Sequence, residues 1–287
     1  MIDLHTHTAE SDGTLTPAEL VATAAGLPLE ALGITDHDTF AGYDQAVPLA
    51  RQAGLDLVCG IELSTKWRRK PAARGRSVHI LGYFLGGPPS AGLRTWLEAL
   101  QESRRDRNRR LAARLQSLGI GITIEEVEGL GRRLAGRPHF ARLIVAKGYA
   151  ATVQEAFDLY LADSAKAYVE REEPQLAEGI GRILDAGGVP SLAHPVRHSR
   201  HGAAAFETAL VEMCGMGLRA IEVFHSDHGP EDVAQFEALA RRYGLAITGG
   251  TDFHGANKPG LALGTGYGNV AVPRRVLDEL REASART

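Results

Sequence analysis

One pattern recurs along the chain: a short apolar run whose last residues turn abruptly polar. It opens at Ile2–His7 and returns at Leu32–Asp38, Leu55–Ser64, Val189–His194, Ala220–His228 and Ala246–Gly255, and at Val78–Leu85 the polar residue, His79, sits at the start of the run instead. Runs of this length read as buried strands. Between most of them lie helix-length segments such as Tyr43–Ala53, Ala204–Met216 and Glu231–Tyr243, several closed by glycine. After a polar loop, Ala9–Thr16, Pro17 opens another helix at the position where its missing N–H costs nothing. The alternation predicts an α/β protein with a parallel sheet under helical cover. About seven units favour closure into a barrel, where chemistry gathers at the carboxyl ends of the strands.

The rhythm breaks from Ser90 to Pro174, where only helical patterns occur: Leu93–Leu118, Pro138–Gly148 and Val153–Leu161. This predicts a barrel made of residues 1–89 and 175–287, interrupted by a helical insertion, 90–174, that shapes the substrate pocket.

Composition narrows the class. With 287 residues, 44% hydrophobic and 23% charged, the chain can bury a full core. A net charge of -3 and a pI near 6.4 give no global field for duplex DNA, so any anion site is local. The two cysteines, Cys59 and Cys214, lie in apolar contexts, which excludes a disulfide framework and fits a reducing, cytoplasmic compartment. The first strand leaves no room for a secretory signal, and no apolar run approaches the roughly 20 residues that span a bilayer, so no membrane partner is expected.

The polar strand ends carry the chemistry. In Asp3-Leu4-His5-Thr6-His7 alternate side chains share a face, so His5 and His7 stand side by side and can share a metal ion. Alone, the pair is equally compatible with one packed and one surface histidine. Its company is Asp12, His37, Glu62, His79, His194, Asp252 and His254, with Asp252-Phe253-His254 repeating the spacing. Taken singly, Asp12 and Asp38 fit turns or caps and His79 fits a core. Imidazoles and carboxylates without thiolates suit zinc, iron or manganese. Two ions held about 3.5 to 4 Å apart can activate water and clamp phosphate oxygens, with a carboxylate such as Glu62 as bridge.

These motifs, with Thr35-Asp36-His37-Asp38, Gly60-Ile61-Glu62, His79-Ile80-Leu81-Gly82 and Ala193-His194-Pro195 between the two ends, resemble the polymerase-and-histidinol-phosphatase (PHP) family of phosphoesterases. The resemblance implies a distorted, amidohydrolase-like (β/α)7 barrel with a helical insertion and two to three divalent ions. One ion would take His5, His7, Glu62 and Asp252, a second Asp12, His37 and His254, and a third Glu62, His79 and His194. Gly136-Arg137-Pro138-His139, Lys147-Gly148-Tyr149, Ala167-Tyr168-Val169 and His194-Pro195-Val196-Arg197 look like the branch acting on nucleoside 3′,5′-bisphosphates and oligoribonucleotide 5′ ends. The chain departs from that branch at Asp163-Ser164-Ala165, where glycines are usual, and at Glu170, where proline is usual.

The expected reaction is hydrolysis of the 3′-phosphate of a nucleoside 3′,5′-bisphosphate, with stepwise 5′-to-3′ trimming of short RNA as its extension. Glu62, Asp252 and His228 are the expected catalytic residues. Arg137, His139, Lys166, Arg197 and His228 are the expected substrate contacts, arginine because its guanidinium meets two phosphate oxygens at once. The run Ser103–Arg110 reads chiefly as a solvated helix face, with some arginines free to meet a second phosphate. A histidinol-phosphate-type monoesterase and a non-catalytic metal-containing nucleotide sensor are the competing readings.

Overall fold

The apolar runs become seven strands: β1 (Ile2–Thr6), β2 (Ala31–Ile34), β3 (Asp56–Trp67), β4 (Arg76–Phe84), β5 (Val189–Leu192), β6 (Ala220–Phe224) and β7 (Ala246–Gly249). They form one sheet in the order of the chain. The computed structural model describes residues 1–68, 75–131, 135–200 and 202–285. The interposed segments are helical: α1 (Pro17–Ala25), α2 (Ala41–Ala53), then α3 (Ala91–Ser117), α4 (Ile124–Gly131), α5 (Arg137–Ala146) and α6 (Val153–Ala156), the last running into a π-helical turn at Phe157–Leu161. After them come α7 (Leu176–Asp185), α8 (Val196–Ser199), α9 (Ala203–Gly215), α10 (Pro230–Tyr243) and α11 (Arg275–Ala285). Thr16 caps α1 in a reciprocal capping box with Glu19, directly before Pro17.

The sheet is mixed rather than parallel: β4 runs antiparallel to both β3 and β5. The reason is linker length. Only residues 68–75 separate β3 from β4, fewer than the dozen or so that a parallel crossover needs. Reversal also explains an oddity of the sequence. His79 lies near the start of β4, and because β4 is inverted, its start lies at the rim where the other strands end.

The edges of the sheet meet at that rim. The N–H groups of Asp252 and Phe253 donate to the carbonyl of His5 at 2.8 and 3.3 Å, and the N–H of His7 donates to the carbonyl of Phe253 at 2.9 Å. Close approach here requires glycine: a Cβ on Gly250 would stand 2.3 Å from the backbone nitrogen of His5.

Leu93 and Leu97 of α3 pack into the largest barrel core with Ile61, Ile80, Ile180 and Phe206. Further along the same helix, Leu111 and Leu115 join a second core with Ile122, Phe140, Ile144 and Leu161. One helix thus spans the barrel and the helical segment that follows β4.

Candidate metal centre

Residues on or just after six of the seven strands, with the loops that follow β1 and β7, meet in one buried cluster. Glu62, 1% exposed, is its hub. One carboxylate oxygen faces Nδ1 of His79 at 2.7 Å and Nε2 of His194 at 2.9 Å. The other faces Nε2 of His7 at 3.1 Å, Nε2 of His5 at 3.3 Å and Nδ1 of His37 at 3.4 Å. A second carboxylate, Asp252, places Oδ1 3.4 Å from both His5 and His7. Asp12 meets Nε2 of His254 at 3.1 Å, Nδ1 of His7 at 3.6 Å and Nε2 of His37 at 3.7 Å.

Two groups have donor atoms within 4.8 Å of one another that match the expected first and second sets: His5, His7, Glu62 and Asp252, and Asp12, His37 and His254 together with His7. A third joins Glu62 and His79 with His37. His194 approaches the same oxygen of Glu62 as His79 does.

The donor set fits divalent ions. Both ring nitrogens of His7 are buried with no hydrogen-bond partner, as are Nδ1 of His37 and Nδ1 of His194. Such orphans are costly inside a protein unless something binds them. Ligands about 2.0 to 2.2 Å from a shared ion stand roughly 3 Å from each other, close to the N···O spacings found here. Burial and neighbouring charges shift the imidazoles in opposite directions. Burial opposes charge on His7, yet Asp252 and Glu62 hold its pKa up at about 9. Burial pushes His37 down to about 4, leaving a neutral imidazole of the kind that binds metal. Burial would lift Glu62, but His37, His79 and His5 hold it well below the ordinary carboxylate range.

Residues outside the cluster set its geometry. Nδ1–H of His5 donates to Glu222, which also accepts the backbone N–H of His194. His254 donates from Nδ1 to the carbonyl of Asp252 at 2.8 Å, turning Nε2 towards Asp12. Asp36 accepts from Thr8 N–H, Thr8 hydroxyl and Ser11 hydroxyl, fixing the loop that carries Asp12. Asp3 accepts from the N–H and hydroxyl of Thr251, fixing Asp252. Three residues without glycine's freedom adopt positive φ: Asp38 at 54°, His194 at 31° and Asp252 at 56°. Strain of this kind persists where surrounding bonds over-determine it, and all three lie at the rim.

A cavity of about 430 Å³ opens above the cluster, lined by Asp12, His37, Glu62, His79, His194, Asp252 and His254. Its remaining lining is mainly cationic, with Glu173 as a further carboxylate 3.9 Å from Arg171. Arg104, Arg107 and Arg137 reach it from the helices after β4, Arg171 from the irregular segment that leads into α7, and Arg197 and Lys258 from the barrel. Asp38 accepts Arg171 at 3.0 Å, the N–H of Ser64 at 2.9 Å and a short bond from Arg104. Gln101 donates to the Asp38 carbonyl at 2.9 Å. Arg107, 6% exposed, has no hydrogen bond or ion pair among the described residues. Burial together with Arg104, Arg137 and Arg171 pushes its pKa down to about 9. The Ser103–Arg110 run therefore divides: Arg104, Arg107 and Asn108 are buried, whereas Arg105, Arg109 and Arg110 pair on the outside with Glu102 and Asp106.

The expected substrate contacts divide as well. Arg197 lines the cavity and donates to Asp252 at 3.2 Å and Asp227 at 3.1 Å. Arg137 lines it while donating to Asp163 at 3.0 Å, one of the residues at which the chain departs from the branch pattern. Glu170, another, accepts Lys66 at 2.8 Å. Three residues do not line it. Lys166 is exposed on the outer surface. His139 is buried, and its Nδ1 accepts the N–H of Gly136 at 3.0 Å, closing the first turn of α5. His228 is buried against Phe236, its Nδ1–H spent on the carbonyl of Val223 at 2.7 Å. The histidine that reaches Asp252 from this loop is His225, with Nε2 3.4 Å from Oδ2; its Nδ1 accepts the N–H of Asp227, so Nε2 carries the proton. Lys258 donates to the same carboxylate oxygen.

The PHP domain family matches residues 3–170. The chain is 32% identical over 268 residues to the 3′,5′-nucleoside bisphosphate phosphatase of Chromobacterium violaceum, covering 92% of this chain and 90% of that protein. It is 34% identical over 259 residues to the 5′-3′ exoribonuclease Rnm of Salmonella typhimurium, covering 88% and 84% respectively. Its fold is similar to that of a protein from Bifidobacterium adolescentis described as a metal-dependent phosphoesterase, with TM-score 0.82, 32% identity and coverage of 98% and 95%. Among the described residues, no helix is long and apolar enough to cross a membrane.

Proposed function

The chain belongs to the PHP-domain family and is a hydrolase acting on phosphate esters, and from that premise we propose that it removes the 3′-phosphate of nucleoside 3′,5′-bisphosphates, leaving 5′-nucleotides. In this reading residues 1–89 and 175–287 form the catalytic barrel and 90–174 the insertion that supplies the second phosphate site. The observation that carries it is the lining of the cavity. One cavity holds a metal-binding cluster and, apart from Arg197 at the cluster, four arginines: Arg104 and Arg171 share the carboxylate of Asp38, Arg171 also lies 3.9 Å from Glu173, Arg137 pairs with Asp163, and Arg107 has no ion pair among the described residues. A substrate with one phosphate leaves that cationic wall unanswered; a substrate with two answers both regions.

His5, His7, Glu62 and Asp252 would hold one divalent ion, Asp12, His37 and His254 a second, and Glu62, His79 and His194 a third. When bound, manganese, iron or zinc supplies Lewis-acid charge and lowers the pKa of a water molecule. The arginine wall grips the 5′-phosphate and so presents the 3′-phosphate to the cluster, converting binding into orientation. Arg197 neutralises charge on the transferring phosphoryl oxygens. Asp252 accepts the proton of the attacking water. As the bond from phosphorus to the 3′-oxygen breaks, Lys258 donates a proton to that oxygen. The same bond is cut when the 3′-phosphate continues into another nucleotide, which extends the activity to short RNA; the identity to an exoribonuclease favours this.

Phosphate release by metal-reconstituted protein tests the reading. Adenosine 3′,5′-bisphosphate should exceed 3′-AMP and histidinol phosphate in kcat/KM by at least about a hundredfold, the worth of two charge-assisted contacts. Equal rates on the monophosphates would overturn it.

A further inference from the structure

Most of the residues that line the cavity are polar or charged. Among the described residues, its only hydrophobic side chains are Pro138, Val153 and Phe157, and all three come from the helical segment between β4 and β5. Val153 and Phe157 lie four residues apart, one helical turn, and so present one face. Val153 is 45% exposed. Phe157 begins the π-helical turn, its carbonyl accepting the N–H of Ala162 at 2.8 Å. Wide turns of this type often mark functional positions. Pro138 follows Arg137 directly, so the apolar patch adjoins a guanidinium of the cationic wall.

Resting on the bisphosphate reading above, we propose that Pro138, Val153 and Phe157 form a platform for the nucleobase, with the Phe157 ring stacking on its face. A flat apolar ligand group next to a phosphate is what this juxtaposition accommodates. The platform is tolerant of base identity. Among the described residues Asn257 is the only amide lining the cavity and commits its Nδ2 to the carbonyl of Asp12 at 2.6 Å; of the two hydroxyls in the lining, Ser64 accepts Arg104 at 3.3 Å and Ser77 stands exposed near the start of β4. Recognition by the face of the ring rather than by its edge suits an enzyme that takes any nucleotide, because every base has a π-face.

The test compares adenosine 5′-monophosphate with ribose 5-phosphate, which keeps the phosphate and sugar but lacks the base. Calorimetric Kd values are measured for the parent protein, Phe157→Ala and Phe157→Trp. Loss of one base–aromatic stack should weaken adenosine 5′-monophosphate about tenfold in Phe157→Ala, leave ribose 5-phosphate unchanged, and be restored by Phe157→Trp. Guanosine, cytidine and uridine 5′-monophosphates should lose affinity in parallel. Unchanged nucleotide binding in Phe157→Ala, or equal weakening of ribose 5-phosphate, overturns the platform. Phosphate release from adenosine 3′,5′-bisphosphate by the parent is run alongside: its absence removes the proposed reaction, whereas the Kd comparison judges the platform without turnover.

Discussion

The carboxylate of Glu222 lies 2.8 Å from Nδ1 of His5. The contact fixes the imidazole with its proton on Nδ1 and its lone pair on Nε2, directed at Glu62 and Asp252. Its other oxygen takes the backbone N–H of His194 at 2.6 Å and holds that residue at positive φ. Glu222→Gln should therefore lower metal affinity about 10- to 100-fold, as loss of such outer partners does elsewhere, while the far-ultraviolet circular dichroism stays that of the parent. Metal titration with a competing chelator measures it; undiminished affinity would show that Glu222 serves packing alone.

Metal removal should cost stability. An ion that binds only the folded chain at a thousand times its Kd adds about 4 kcal/mol. For a chain of this size that corresponds to roughly 10 °C in Tm, so melting with and without chelator should differ by that order. Coincident melts would mean that the orphaned nitrogens of His7 are satisfied by water.

Arg107→Met removes the buried guanidinium that has no carboxylate partner. The kcat/KM for adenosine 3′,5′-bisphosphate should fall about 10- to 100-fold, one charge-assisted contact, while p-nitrophenyl phosphate is hydrolysed as before. Thermal stability should hold or rise, because replacing an uncompensated buried charge by an apolar side chain of similar size relieves desolvation. A loss shared equally by both substrates would place Arg107 outside phosphate selection.

In the proposed reading Asp163 competes with substrate for Arg137, to which it is paired at 3.0 Å. The pair is half-exposed, with Asp163 at 51%, so its strength is within about 1 kcal/mol. Asp163→Gly should tighten binding of adenosine 3′,5′-bisphosphate by about two- to fivefold, read as a drop in KM at constant kcat.

Away from the site, Asp56 ties α11 to the barrel through Arg274 at 2.7 Å and Arg281 at 2.8 Å. Burial alone would raise its pKa; the two arginines outweigh burial and leave it below the ordinary value. A depressed carboxylate stabilises the fold above the unfolded pKa, near 3.9, and loses that contribution as pH falls through the folded value. Asp56→Asn should thus cost about 1 kcal/mol at pH 7 in urea unfolding, and the difference from the parent should shrink below about pH 4. A difference independent of pH would assign the effect to packing.

Much of this was legible in the residue pattern. The apolar runs located the seven strands, and the candidate ligands fell at or beside their polar ends, except His79, which stands at the start of its run. The direction of β4 was written in the short link after β3, a signal weaker than the repeated strand–helix rhythm around it. Glu222 left a trace too, as the lone carboxylate within the otherwise apolar Ala220–Phe224, yet its partner His5 is 217 residues away and only folding joins them. The inward arginines continue the stripe of Leu93, Leu97 and Leu111 at helical spacing, but the surrounding charges of Ser103–Arg110 obscured it. His228 and His225 lie in one loop, and spacing alone does not say which ring turns inwards.

The inversion of β4 has a further consequence, one of length. The strand carries the chain from the rim to the far end of the barrel, so α3 must climb back before it can contribute anything to the cavity. With 27 residues it extends about 40 Å. Its first turns lie along the barrel core, Arg104 and Arg107 fall level with the cavity, and its last turns rise into the second core. The helix is in effect a ruler whose graduations are arginines. One residue added below Arg104 would turn both guanidiniums by about 100° and lift them by about 1.5 Å, so the phasing of a distant helix against a reversed strand fixes where these two charges meet the cavity.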